Sequence, residues 1–323
     1  MRKGALRAMG GVAFLFGGPG LAEPGMGKDL YNKNPLVRES LDKADKAMNE
    51  LGGVRPTKAC FAGTAELIHR PSVSGPAVLA LAHGVFRALK ARRVHPNAAA
   101  GLGWGELVAL GAMGAIDYEA ALKLLYERGL RVEEAWAQAP WYALAVQGLD
   151  AAGLEAKLDA LPQEVRPRRA ALIAPDHFVL SGDEGLLKKL HAVLAAAGRG
   201  VKLTPVEPGW QWPHSALAAL GERTAADFEA LPREHLATPL QGAADVEASR
   251  TPRDWPARLR LCCSEALDWP AAGRRLRRMG VDTVVEVGHG AALGLALHSA
   301  DHGVRALATA DAADFAQAVK LSN

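Results

Sequence analysis

The chain has 323 residues, 49% apolar and 23% charged, proportions of an ordinary globular protein that exclude wholesale disorder and fibrous repeats. A balance of 38 basic against 35 acidic side chains leaves a formal charge of +3, too small for a nucleic-acid binder, and no run of about 18 uninterrupted apolar residues reads as a membrane span. The length predicts about two domains, and three cysteines (Cys60, Cys262, Cys263) cannot build a disulfide framework, so a reducing, cytoplasmic setting is expected.

At the N-terminus Arg2, Lys3 and Arg7 precede an apolar run over 8–16 and then Leu-Ala-Glu-Pro, an imitation of a secretory signal. Glycines 10, 11, 17, 18 and 20 interrupt it, and GVAFLF reads better as a buried strand running into a glycine-rich loop. Residues 39–51 carry Leu41, Ala44, Ala47, Met48 and Leu51 on one helical stripe, and 71–90 form a second, mostly buried helix. Residues 95–106 pass through small side chains into another glycine-rich loop. An Ala- and Leu-rich helical stretch follows, broken at Gly111, Gly114 and Asp117 and ending with Leu124, Leu125, Arg128 and Gly129.

From Trp141 the rhythm changes. WYALAVQGL reads as a strand and 150–160 as a helix, RAALIAP and HFVLSG as two strands turning at Pro175 and Asp176, 183–197 as a helix closed by Gly198, and VKLTPV as a last strand. The order β-α-β-β-α-β predicts a small ferredoxin-like α+β subdomain over 131–205, inserted into a hydrolase-like α/β body with a parallel sheet, 1–130 and 206–323. In the second half of the body, helices are expected over 215–231 and 270–279. The strand VDTVVEV then meets the loop Gly288-His289-Gly290 and a further helix.

Several of these segments together resemble one family, the malonyl-CoA:acyl-carrier-protein transacylases of fatty-acid and polyketide synthesis. FLFGGPGLAEPGM over 14–26 resembles the family's opening F-P-G-Q-G-S-Q-x-x-G-M, and GLGWGELVALGAMGAIDYEAALKLLYERG over 101–129 its G-H-S-x-G-E block. WPHSAL over 212–217 is similar to the segment bearing the catalytic histidine, and EVGHG over 286–290 to the terminal E-V-G-P-G. The likeness runs in order through nearly the whole chain.

The resemblance implies a seryl ester formed at a sharp strand-to-helix turn, a histidine acting as base and then acid, backbone N–H groups holding the oxyanion, and an arginine pairing with the malonyl carboxylate. Carried over, the nucleophile position is Gly103, with Leu102 where a histidine precedes the serine; Gly101 and Gly105 keep the tight turn. The two oxyanion positions fall on Pro19, which has no N–H, and Trp104. Arg128, 25 residues after Gly103, stands at the carboxylate-binding position, and His214 at the base position. The glutamine that orients the histidine aligns near Cys262, which raises Cys262 or Cys263 as a replacement nucleophile, against a plain reading as two small apolar helix residues.

Arginines 92–93, 166, 168–169, 274–275 and 277–278 would suit an acidic carrier protein or coenzyme A phosphates, or simply a solvated face. They lack interleaved aromatics, so no nucleic-acid platform is expected; nor is a membrane, a metal or a cofactor. GLGWGE does not fit the dinucleotide pattern G-x-G-x-x-G. Two functions follow from the resemblance. The first is a non-catalytic acyltransferase homologue that binds acyl-carrier protein or acyl-CoA, or scaffolds a ketosynthase or other synthase subunit. The second is an enzyme that acts on an acyl thioester without a seryl intermediate, by direct transfer, hydrolysis or decarboxylation, using His214 and Arg128. Ordinary ping-pong transacylation is not expected.

Overall fold

The strand expected at GVAFLF is the middle of a parallel sheet in a computed structural model that describes residues 10–159, 161, 166–195, 201–206, 214, 217–244 and 246–322. β1 (Gly11–Phe16) pairs on one side with β2 (Ala98–Gly101), which continues to β7 (Leu240–Gly242). On the other side it pairs with β9 (Val281–Glu286) and then β10 (Arg305–Leu307). All these pairings are parallel, so helices cover both faces. Side chains alternate accordingly: Phe14, Phe16 and Ala99 enter one core, and Ala13, Leu15, Ala98 and Ala100 the other.

Helices α1 (Lys28–Lys33), α2 (Pro35–Glu50), α3 (Pro56–Ala62), α4 (Ala65–Ile68) and α5 (Pro71–Ala91) fill the crossover from β1 to β2, and α6 (Gly105–Ala112) and α7 (Tyr118–Gln138) follow β2. α5 is, among the described residues, the one helix long and apolar enough to cross a membrane, but 83% of its apolar window is buried inside the protein, where it serves as a core helix. The second half of the body adds α10 (Ala218–Glu229), α11 (Trp255–Ser264), α12 (Trp269–Arg278), α13 (Ala292–Ala300) and α14 (Ala312–Val319).

The small sheet is built from β3 (Tyr142–Gln147), α8 (Ala151–Asp159), β4 (Arg168–Ala174), β5 (His177–Gly182), α9 (Glu184–Ala195) and β6 (Lys202–Val206). Its strands lie in the antiparallel order β6-β3-β5-β4, with Pro205 on the edge strand, where a missing N–H is tolerated. The body contributes one more strand, β8 (Leu267–Asp268), parallel to β4, so the two sheets are stitched together at the site described below.

Several boundaries differ from expectation for physical reasons. α2 begins at Pro35 rather than at 39, because Asn34 caps it, accepting from Leu36 and Val37 N–H at 3.0 and 3.4 Å. β2 lies inside the stretch expected to be loop: three alanines carry no amphipathic contrast, yet all are fully buried where helices close on both faces of the sheet. α7 runs past Gly129 to Gln138, because Gly129 is there for close packing: a Cβ at 129 would stand 2.4 Å from Pro71 O and Ser72 Cα. β7, β10 and α14 were not foreseen, and of α11 only the helical setting of the two cysteines was. Gly198, residue 160 and the expected helix start at Ser215 lie outside the described residues.

Candidate functional site

The register of the parallel sheet sets Phe16 beside Gly101 and Leu15 beside Glu286, so the carboxyl ends of β1, β2 and β9 open onto one edge. That edge is where open α/β sheets hold their ligands. Three loops meet there: Gly17 to Pro19, Leu102 to Trp104, and Val287 to Gly290.

The middle loop is a sharp strand-to-helix turn. Gly103 has φ +55, and Gly105 and Glu106 donate their N–H to Leu102 O and Gly103 O at 3.0 Å to start α6. Gly105 is required by contact, since a Cβ there would stand 2.1 Å from Phe16 O. The turn of a nucleophile elbow is thus built, with a hydrogen where a side chain would project. A Cβ at 103 would meet Leu267 Cδ1 at 3.1 Å. Pro19 is buried and opens a short 3-10 helix, Pro19–Leu21. The preceding Gly18 leans on the elbow, a Cβ there lying 3.3 Å from Gly105 N. The first loop therefore reaches the elbow and presents a residue without an N–H.

Arg128 is 1% exposed and Trp104 3%. The indole lies over the guanidinium, 3.5 Å from its central carbon to the ring centroid, a cation–π contact worth about 2 kcal/mol when desolvated. The guanidinium also hydrogen-bonds the Cys263 thiol. Burial lowers the Arg128 pKa to about 10, which leaves it charged at neutral pH.

Cys262 donates to Gly103 O at 3.3 Å and lies 3.6 Å from Glu106 Oε1. Both neighbouring thiols therefore reach the site, yet neither is poised as a nucleophile. Both are fully buried, and burial pushes Cys263 up to about 11 and Cys262 well above the usual thiol range. That burial weighs against the replacement-nucleophile expectation.

His214 joins through the backbone, its N–H donating to Cys263 O at 3.2 Å, and its ring stacks on the Trp141 indole at 6.1 Å. Burial, with the positive charge of Arg168 as a smaller cause, lowers its pKa, so the imidazole is neutral at pH 7. Gly103, Trp104, Arg128 and both cysteines are thus in direct contact around one turn, and His214 is tied to the same segment.

Sequence reasoning missed Arg258. From α11 it reaches Glu106 at 2.9 Å in an ion pair closed off from water, and it also donates to Leu240 O and Glu247 O. Gly242 leaves the room for it. The available signal was an arginine one turn before Cys262 in the same helix, hence on the same face. Burial raises the Glu106 pKa, and Arg258 opposes that rise.

Glu286, also 1% exposed, caps α13: its Oε2 accepts from Leu293 N and Gly294 N at 2.9 and 3.1 Å, while Oε1 is buried without a hydrogen-bond partner. Burial raises its pKa from 4.5 to about 7 against the pull of those two amides. The folded state therefore holds this proton to higher pH than the unfolded chain. Stability is expected to fall by about 3 kcal/mol as pH climbs through that interval and to stay level above it. In urea melts at stepped pH, Glu286→Gln should flatten this slope; an unchanged slope would contradict the assignment.

Most of the basic clusters are neutralised locally. Arg166 pairs with Asp159, Arg169 with Glu155, Arg274 with Asp268, Arg275 and Arg278 with Glu247, and Arg277 with Asp301. Arg168, exposed on β4 beside His214, is in no ion pair among the described residues.

Residues 13–239 match the acyl transferase domain model. The chain belongs to the acyl transferase family. This acyl transferase homologue is 25% identical over 305 residues to the malonyl CoA-acyl carrier protein transacylase of Bacillus subtilis, with 94% of each chain covered. It is 27% identical over 299 residues to polyketide synthase GfsA of Streptomyces halstedii, covering 91% of itself but 4% of that much longer protein. Among solved structures, a malonyl-transacylase in complex with its type II polyketide-synthase acyl-carrier protein superimposes with a TM-score of 0.85 at 21% identity, over 96% of this chain and 99% of that one. At that identity the likeness establishes the fold. The α/β body with its parallel sheet and the membership among malonyl-CoA:acyl-carrier-protein transacylases and their polyketide-synthase relatives agree with the sequence-based expectation.

Proposed function

We propose that this acyltransferase homologue no longer forms a seryl ester and instead binds an acyl-carrier protein or acyl-CoA, acting as a scaffold or regulator beside a synthase subunit. The observation that carries the reading is Gly103 at φ +55 in the elbow: the strained turn that presents a nucleophile is kept, and the nucleophile is not there. Pro19 supports it independently, since loss of one oxyanion donor typically costs about 2.7–4 kcal/mol of transition-state stabilisation. On this reading Arg128 holds the acyl-carboxylate position and His214 the former base, with no hydroxyl at 103 to deprotonate. Arg168, in no ion pair among the described residues and beside His214, is a positive charge suited to an acidic carrier or a phosphate.

On this reading the body comprises 1–130 and 206–323 and the inserted subdomain 131–205, with α7 (Tyr118–Gln138) running across the boundary. Three free, buried cysteines suit a cytoplasmic protein. The alternative is an enzyme that uses His214 and Arg128 without a seryl intermediate, which needs both side chains facing one substrate. Incubation with malonyl-CoA is expected to leave the protein unacylated while a holo acyl-carrier protein still binds in titration calorimetry. Turnover of malonyl-CoA that disappears in His214→Ala would favour the alternative.

A further inference from the structure

We propose that the pocket between the first and third loops is a binding site for a short alkyl chain ending in a hydroxyl, and that His289 is the residue that reads the hydroxyl. His289 stands where the motif E-V-G-P-G has proline, and the proposed function makes no use of it. The chain holds its ring in place. His289 lies between two glycines in left-handed conformations, Gly288 (φ +110) and Gly290 (φ +93). The backbone leading into it is anchored, with Val287 N–H donating to Leu15 O at 2.9 Å and Gly288 N–H to Thr309 Oγ1 at 3.0 Å.

The ring is tied to Glu23, with 3.2 Å between Nε2 and the carboxylate Oε2. A carboxylate only accepts, so Nε2 carries the proton, and in the neutral ring Nδ1 is left as an acceptor. Nδ1 is buried and has no hydrogen-bond partner among the described residues. The side chains around the pocket are otherwise apolar: Leu21 and Met26 after the first loop, Val78 and Leu81 of α5, and Val287. With its open mouth the pocket encloses about 240 Å³, and its interior takes one group the size of a water molecule. That shape suits a chain whose carbons lie in the mouth and whose end is small. A terminal methyl would fit by size and leave the buried acceptor unpaired, whereas a hydroxyl of the same size donates to it. Free hydroxy acids and hydroxyacyl thioesters share this chemistry, and the second source rests on the proposed binding of acyl-CoA.

Two pairs of ligands distinguish the sources: 4-hydroxybutyrate against pentanoate, and 4-hydroxybutyryl-CoA against pentanoyl-CoA. Each pair differs only in a terminal hydroxyl against a methyl. In titration calorimetry of the full chain, the hydroxylated member of at least one pair is expected to bind at least about fivefold tighter. A preference confined to the acids assigns the site to a free hydroxy acid, and one in the thioester pair to a hydroxyacyl group. His289→Phe, which keeps a ring in the loop, should abolish the preference. A second readout needs no variant: the nitrogen-15 resonance of His289 Nδ1 should move on adding the hydroxylated member and stay in place with the other. Equal affinities or no binding in both pairs, or a preference that persists in His289→Phe, would overturn the proposal. So would an Nδ1 resonance indifferent to the hydroxyl, as when the pocket holds only water. The pocket is read from a ratio within a pair, and the proposed function from carrier-protein binding and the absence of acylation, so the two fail separately.

Discussion

Arg258→Met is expected to lower the stability of the protein by about 3–5 kcal/mol in urea denaturation, with the m-value unchanged. Glu106 and Arg258 form a closed pair at 2.9 Å with almost no exposed surface, and the same guanidinium holds the carbonyls of Leu240 and Glu247. Removing the cation strands a carboxylate that burial already disfavours, and it must take up a proton to stay inside. The double variant Glu106→Gln, Arg258→Met should recover most of the loss, because two uncharged side chains of similar shape leave less to desolvate. A loss as large in the double as in the single variant would show that Arg258 matters for its carbonyl contacts rather than for its charge. The pair also fixes function-bearing geometry, since Glu106 lies in the first turn of α6 directly after the elbow and Cys262 bridges Glu106 to Gly103 O.

Restoring a hydroxyl alone is expected to restore little chemistry. Gly103→Ser should cost about 1–3 kcal/mol, because a non-glycine residue at φ +55 is strained and its Cβ meets Leu267 at 3.1 Å. The new serine would still face Pro19, which offers no N–H to the tetrahedral oxyanion. Adding Pro19→Gln is expected to accelerate acylation from malonyl-CoA by about 10²–10³-fold over Gly103→Ser, the usual effect of one oxyanion donor. Equal acylation rates in Gly103→Ser and Gly103→Ser/Pro19→Gln would mean that residue 19 has no part in the oxyanion site.

The parallel body and the small sheet were legible where strands stand out as runs of large apolar residues, as in GVAFLF and HFVLSG, or helices carry an apolar stripe, as in α9. The alanines of β2 were not, since three small side chains among other alanines and glycines carry neither signal. Gly129 reads as a helix end in isolation and becomes a contact point only once α5 lies against α7. At the site, Gly103 and Pro19 stood out because a motif predicts what should occupy those positions. The stack of Trp104 on Arg128 was invisible, because only the fold brings α7 under the elbow. The cysteines illustrate the reverse case: their closeness to the elbow was anticipated, but their reactivity depends on burial that the sequence does not display.

Intact-mass spectrometry of the unaltered protein after exposure to malonyl-CoA, with and without holo acyl-carrier protein, tests the central claim most directly. An unchanged mass in both arms is the predicted result. A stable increase by one malonyl group, mapped to any side chain of this protein, would contradict it.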